Sequence, residues 1–219
     1  RRMSTQSTWL AAQERSALYP RISQDETVDV AIIGGGITGV TTAYYLAKAG
    51  KQVVLIEQNH LGEGDTGYTT AFFTQVIDSS LQELEKIFGK EKAKLVWQSN
   101  KDSIDEIERI ITHEKILCEF KRCPAIIFAH NQDGRTFLKK EYELAASLGF
   151  SLAFKDNKLP FAHEGYIEVP NQAKLHPLLY LTALAARAAE YGAHIYEETH
   201  VHDVEGHDPT TILTSGGRI

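Results

Sequence analysis

Val28-Asp29-Val30-Ala31-Ile32-Ile33-Gly34-Gly35-Gly36-Ile37-Thr38-Gly39 is the stretch whose reading decides the fold of this 219-residue chain. Val28–Ile33 is a short apolar run that reads as a buried strand, and it stops at three consecutive glycines. From Thr38 to Ala49 the residues suit a helix, with Val40, Ala43, Leu46 and Ala47 on one stripe, and Gly50 ends it. Gln52 to Ile56 read as a second strand. Val53-Val54-Leu55-Ile56 is too apolar for a sheet with one face in water, so a parallel sheet covered on both faces is expected. The strand–helix–strand unit closes on an acid, Glu57.

The spacing assigns each glycine a physical task. Gly34 permits the tight turn from strand to helix, Gly36 lets a pyrophosphate approach the backbone, and Gly39 lets the helix lie close to the strand. The helix start at Ile37 and Thr38 offers unpaired N–H groups and a partial positive charge to phosphates. Glu57, with Gln58 beside it, can accept hydrogen bonds from a ribose diol, and its charge argues against NADP. Three spaced glycines alone also fit a purely structural turn. The whole context of strand, glycines, helix, strand and acid is what points to a dinucleotide. A second cluster follows: Leu61-Gly62-Glu63-Gly64-Asp65-Thr66-Gly67-Tyr68-Thr69-Thr70-Ala71. It reads as a flexible polar loop at the carboxyl end of the second strand, the edge where open α/β sheets bind ligands. Gly64, Thr66, Thr69, Thr70 and Ala71 are candidates there, against the alternative of a generic loop.

Farther out, Ser79 or Ser80 caps a helix running to about Phe88, and a longer helix covers 90–113 with Ile104, Ile107 and Ile111 at helical spacing. Strands are expected at Ile116–Lys121 and Ala125–Ala129, broken at Pro124, and around Leu152–Phe154 and Tyr166–Val169. Helices are expected over Thr136–Leu148 and from His176 to Tyr191, the latter with Pro177 in its first turn. Short β segments follow at 193–205 and 210–214. One βαβ unit, a long mixed insertion and a return to α/β structure near residue 172 describe a nucleotide-binding domain interrupted by a second. The expected division is a surface leader over 1–24, nucleotide-binding residues 25–75, an α+β insertion over 76–170, and a return over 171–219.

Composition narrows the partners. Lys and Arg number 23 against 29 Asp and Glu, a net charge of −6, so no global basic field invites nucleic acid or an anionic membrane. No apolar run approaches the roughly 20 residues that span a bilayer. Arg1-Arg2-Met3 is followed by no apolar stretch, so it is not read as a secretory signal, and Met3 reads as a start. Cys118 and Cys123, in a segment expected to be a strand, would face opposite ways, so two unpaired thiols in a reducing cytoplasm are expected.

Residues 29–39, then Leu46-Ala47-Lys48-Ala49-Gly50 and Val53-Val54-Leu55-Ile56-Glu57, resemble the opening of the D-amino-acid oxidase/glycine oxidase-like (DAO) flavoproteins. Gly64–Ala71 is similar to a branch often fused to a C-terminal Rieske domain. The likeness runs from about residue 25 to the end and is diffuse after the first fifty residues, through Leu159-Pro160-Phe161 and His176–Leu181. It implies a Rossmann-like, glutathione-reductase-type FAD-binding domain interrupted by an α+β substrate domain and incomplete at its C-terminus, the family being considerably longer. It implies FAD held by Gly34, Gly36, Gly39 and Glu57, with Thr66–Ala71 near the flavin and a backbone amide at Val201 meeting the adenine. Tyr68 stands where some relatives carry a flavin-linked histidine, so the FAD is expected to be non-covalent. The reaction implied is oxidation of the C–N bond of an amino acid or secondary amine, by hydride transfer to the flavin. Its partners would be that small substrate and an electron acceptor, or a further C-terminal or partner chain. The sequence holds no Cys-x-His pair for a Rieske cluster.

Weaker constellations read plainly. His200-x-His202 with His207 lacks an acid or cysteine partner and reads as a surface strand, so no metal is assigned. His163-Glu164 lies in a loop that could line a substrate cavity. The acids Asp102, Asp105, Glu106 and Glu108 read as a solvated helix face. Lys121 and Arg122 suit either a substrate carboxylate or a structural ion pair. Two rival readings stand beside the enzyme: a catalytically incomplete FAD- or ADP-binding fragment requiring a partner chain, and an NAD-dependent dehydrogenase, which the second glycine loop and interrupted topology disfavour. No residue presents itself as catalytic.

Overall fold

A computed structural model of the chain describes residues 7–12 and 19–219. Arg1–Met3 and the rest of residues 1–6 and 13–18, half of the expected leader, lie outside the described residues. The chain divides into two compact units. The first comprises Arg1–Thr70, Glu114–Cys118 and His176–Ile219, and the second Ala71–His113 and Glu119–Leu175. The changeovers stand at 70/71 and 175/176 where the sequence reading drew 75/76 and 170/171, and Glu114–Cys118, read from sequence as part of the insertion, falls in the first unit.

The first unit is built on a three-stranded parallel sheet in the order β1 (Val30–Ile33), β2 (Val53–Ile56), β7 (His194–Tyr196). β2, the central strand, is buried at every position, as its unbroken apolar run demands. Helix α2 (Ile37–Lys48) packs against α6 (Pro177–Glu190). The face of α2 that is buried is Val40, Ala43, Tyr44 and Ala47, so Tyr44 takes the place expected for Leu46. Its hydroxyl is satisfied: it donates to Glu114 Oε1 at 2.5 Å and accepts from Lys48 Nζ at 2.6 Å. On α6, His176 caps the first turn through its Nδ1, and Leu178, Leu181, Leu184, Ala185 and Ala188 are buried. Each leucine removed from water there contributes about 1.5–3 kcal/mol. A hairpin of β8 (Val201–Glu205) and β9 (Thr211–Thr214) follows, and a second turn closes between Ile212 and Ile219.

The leader is not simply draped over the surface. Helix α1 covers Thr8–Ala12, and Ile22 is buried, its N–H held by Thr199 Oγ1 at 3.2 Å. Gly216 and Gly217 lie so close beneath this segment that a Cβ on either would stand 2.1 Å from the Ile22 carbonyl oxygen or 2.4 Å from that of Gln24.

The second unit is an antiparallel sheet in the order β3 (Phe72–Phe73), β6 (Tyr166–Lys174), β4 (Lys121–Phe128), with β5 (Ala153–Lys155) also on β6. Helices α3 (Leu81–Phe88), α4 (Lys90–Glu114) and α5 (Gln132–Ser147) accompany it. Two expectations are corrected here. Ile116–Phe120 is not a strand, and only Lys121 of that span joins one, β4: Lys115 and Glu119 have positive φ, and the alternating burial of Ile116, Leu117 and Cys118 belongs to an irregular segment without a ladder. Nor does Pro124 break the sheet. β4 runs through it, and the register slips between Cys123 and Ala125, a bulge that tolerates the missing N–H. β6 likewise continues past Pro170 to Lys174, so the return to the first unit comes later than residue 172. Neither cysteine is in a disulfide among the described residues, Cys118 being in the irregular segment rather than on a strand with Cys123.

The start of α3 illustrates a full accounting of helix-end donors. Ser80 and Glu83 form a reciprocal capping box, while the buried carboxylate of Glu141 on α5 accepts from Leu81 N at 2.5 Å and Gln82 N at 3.2 Å. Replacing Glu141 by alanine leaves those two donors without partners. It is expected to destabilise by about 1–3 kcal/mol in urea unfolding, with Glu141→Gln recovering part of the loss. A change no larger than that of an exposed surface substitution would show the cap to be unimportant.

Candidate dinucleotide-binding site

Every candidate residue except Ala71 lies in the first unit. β1 ends at Gly34, whose φ of +109° is open to glycine and costly to other residues, and whose N–H bonds to the Ile56 carbonyl at 2.8 Å. This turn leads straight into α2, whose N-cap residue, Gly36, has no side chain of its own to cap it. Gly39 lies one turn in. A Cβ there would stand 2.0 Å from the Gly34 carbonyl oxygen, so only glycine lets the helix lie this close to the turn.

Glu57 is aimed into the turn. Its backbone bridges β2 to the segment after β7, with its N–H donating to Tyr196 and its carbonyl accepting from Thr199. Its carboxylate accepts from Gly35 N at 2.7 Å through one oxygen and from Asn59 N at 2.8 Å through the other. Gln58, the next residue, is exposed.

The second glycine loop folds back onto the same turn. After Gly64 a short 3₁₀ turn, Asp65–Tyr68, brings the Thr66 hydroxyl to the start of α2, where it accepts from Ile37 N at 3.0 Å. Gly35 and Gly62 are tied together by a backbone bond of 3.1 Å, and a Cβ on Gly62 would stand 2.6 Å from both Leu178 and Leu181 of α6. Thr69 and Thr70 are exposed, and Ala71, buried with a φ of +61°, opens the second unit. Val201 sits in β8 opposite Thr214, half-buried against the cluster of Val54, Ile56 and Ile212.

Gly34–Gly39, Glu57 and Thr66 therefore converge on one point. The N–H groups of Gly36, Thr38 and Gly39 meet no acceptor among the described residues, while Ile37 has the threonine hydroxyl. Backbone donors at a helix start, with no Cβ on Gly36 to block approach and a carboxylate at the adjoining strand end, suit a diphosphate with a ribose diol beside it. The donor set fits an adenine dinucleotide.

The sequence left one residue unmarked here. Glu197, buried just after β7, accepts from Leu61 N at 2.7 Å and Tyr19 N at 3.0 Å, and His60 Nδ1 stands 3.5 Å from it, too far for a good hydrogen bond. Nothing local distinguishes it from its exposed neighbour Glu198, because its partners are distant in the chain.

Elsewhere, Arg122 settles on the structural alternative. Its guanidinium reaches Asp105 at 2.7 Å, Glu108 at 2.6 Å and the Asn171 carbonyl at 2.6 Å, so the acidic face of α4 is partly an ion-pair partner and not simply solvated. Asp105 is held below the usual carboxylate range, chiefly by its hydrogen bond from Lys101. The rings of His200 and His202 lie 4.8 Å apart, and among the described residues no three His, Cys, Asp or Glu groups gather to hold a metal.

Sheet, glycine turn and acid together define an α/β dinucleotide-binding unit. The chain belongs to the FAD dependent oxidoreductase (DAO) family, whose model matches residues 29–219, and FAD is the cofactor. It is 36% identical over 197 residues to YhfW of Bacillus subtilis, a protein named as a Rieske 2Fe-2S iron-sulfur protein, covering 90% of this chain and 39% of that one. Gamma-glutamylputrescine oxidoreductase of Escherichia coli is 22% identical, with 98% of this chain and 52% of that protein covered. The crystal structure of glycine oxidase from Geobacillus kaustophilus superposes with a TM-score of 0.73 at 22% identity, over 90% of this chain and 53% of that one. The chain thus spans about half the length of the relatives it matches, or less.

Proposed function

We propose that this chain carries the FAD-holding part of an oxidoreductase that oxidises the C–N bond of an amino acid or secondary amine. The observation that supports it best is the convergence of Gly35, Ile37, Glu57 and Thr66 on one backbone turn, within a family defined by FAD. Names among the relatives, glycine oxidase and gamma-glutamylputrescine oxidoreductase, favour an amine or amino-acid substrate.

In this reading the backbone of Gly34–Gly39 binds the diphosphate, Glu57 orients the adenosine ribose, and Val201 borders the adenine. Gly64–Ala71, with Thr66, Thr69 and Thr70, lies along the inner part of the cofactor. Tyr68, 59% exposed, offers no imidazole for a covalent link, so the FAD is held non-covalently. When bound, FAD supplies the hydride acceptor; the chain's own residues bind it, orient it and exclude water from the diphosphate. The second unit would contribute to the substrate side. Among the described residues no helix is long and apolar enough to cross a membrane. Cys118 and Cys123 are in no disulfide, which favours a reducing, cytoplasmic setting.

The share of the relatives covered favours a second reading, in which FAD binds but turnover requires the remaining residues or a partner chain, an electron-accepting one being suggested by the Rieske name of YhfW. One experiment separates them: record the flavin absorbance of the purified chain, then add glycine, proline and a secondary amine without oxygen. A yellow protein that bleaches supports the full proposal, and a yellow protein that does not bleach supports the second reading. A colourless protein that takes up no added FAD overturns both.

A further inference from the structure

Helix α1, near the N-terminus, packs on the second glycine loop and on α6. The Ser7 hydroxyl donates to the Gly67 carbonyl, and Trp9 Nε1 donates to the Thr69 carbonyl at 2.8 Å. The Trp9 ring meets the ring of His176, the residue that caps α6, edge-on with centroids 4.9 Å apart. Leu10 lies so close that a Cβ on Gly67 would stand 3.3 Å from its methyl carbons. The same leader is anchored again at Tyr19, whose N–H shares the buried Glu197 carboxylate with Leu61, the first residue of the loop. Both ends of the loop are therefore tied to the leader. Between them lies Thr66, whose hydroxyl holds Ile37 N at the start of α2. Five helical residues with no buried side chain have little stability of their own. What fixes them is the pair of side-chain hydrogen bonds from Ser7 and Trp9 to the loop carbonyls.

We propose that residues 7–10 form a clasp that sets Gly62–Thr70 against the cofactor turn, with Trp9 as its positioning residue. This rests on the FAD reading above. The clasp acts through the loop, so it bears on the flavin side of the cofactor. The ADP part is held by the glycine turn and Glu57.

The test uses the full chain with Trp9→Ala and Trp9→Phe, measuring the Kd for FAD and for ADP, and amide hydrogen exchange at Gly67–Thr70 without ligand. Trp9→Ala is expected to raise the FAD Kd about tenfold, the cost of ordering the loop at binding, while the ADP Kd moves less than about twofold. Exchange at Gly67–Thr70 is expected to quicken by a similar factor, with α2 unaffected. Trp9→Phe keeps the ring against His176 but loses the donor, and should recover part of both effects. The clasp is overturned if FAD and ADP weaken equally, as a general loss of structure would make them, or if neither FAD affinity nor loop exchange changes. Should the wild-type chain take neither nucleotide, the cofactor reading falls, and the exchange comparison by itself decides for or against the clasp.

Discussion

Gly39→Ala is expected to strip the protein of FAD. Two effects oppose each other at this position. Alanine is favoured over glycine in a helix by about 1 kcal/mol. Against that, the new Cβ would stand 2.0 Å from the Gly34 carbonyl oxygen and 3.4 Å from Ile32 Cγ2. The first of these is a backbone atom, with no side-chain rotation to relieve it, and overpacking of this kind costs about 1–3 kcal/mol or more. The clash wins. Relief requires α2 to back away from the turn, which also displaces the Gly36, Thr38 and Gly39 donors from any phosphate. FAD content after purification should fall below about a tenth of wild type, as each 1.4 kcal/mol of binding is tenfold. Tm should drop by several degrees. A variant with undiminished FAD content would mean that the diphosphate does not sit at this turn.

The second large effect is expected at Glu57. Its carboxylate holds Gly35 N and Asn59 N, and in the proposed function it also meets the ribose diol of FAD. Hydrogen bonds to a charged group contribute about 1.5–3 kcal/mol, so Glu57→Ala should weaken FAD by about 10- to 100-fold. Glu57→Gln keeps one acceptor oxygen and should fall between. The substitution to alanine also removes the charge that would repel a 2′-phosphate. Affinity for 2′-phospho-ADP relative to ADP should therefore rise, a readout that general destabilisation cannot produce. Equal losses for the two nucleotides would place the ribose elsewhere.

Which parts were legible in the sequence follows from where the signals lie. The strand at Val30–Ile33, the glycine turn, α2 and β2 were readable almost to the residue, because apolar run, glycine and acid are local and consecutive. Ser80 and Pro177 announced their helices for the same reason. The segment at 116–118 misled because alternating burial usually means a ladder, and here an irregular segment is buried alternately without one. β3 is only two residues long, too short for any periodicity. The loop at 61–71 was readable as a glycine-rich polar loop after β2, but not the Thr66 hydroxyl on Ile37 N, which depends on a fold-back across 29 residues. Glu197 and Trp9 were silent for the same cause: their partners are 136 and 60 residues away. Arg122 was open between substrate and ion pair until α4 brought Asp105 and Glu108 to it.

A crystal structure with FAD bound tests the central claim most directly. The account predicts diphosphate oxygens within about 2.7–3.2 Å of N–H groups among Gly36, Thr38 and Gly39, with Glu57 turned onto the adenosine ribose. A dinucleotide bound away from this turn, with Glu57 still on Gly35 and Asn59, would contradict it.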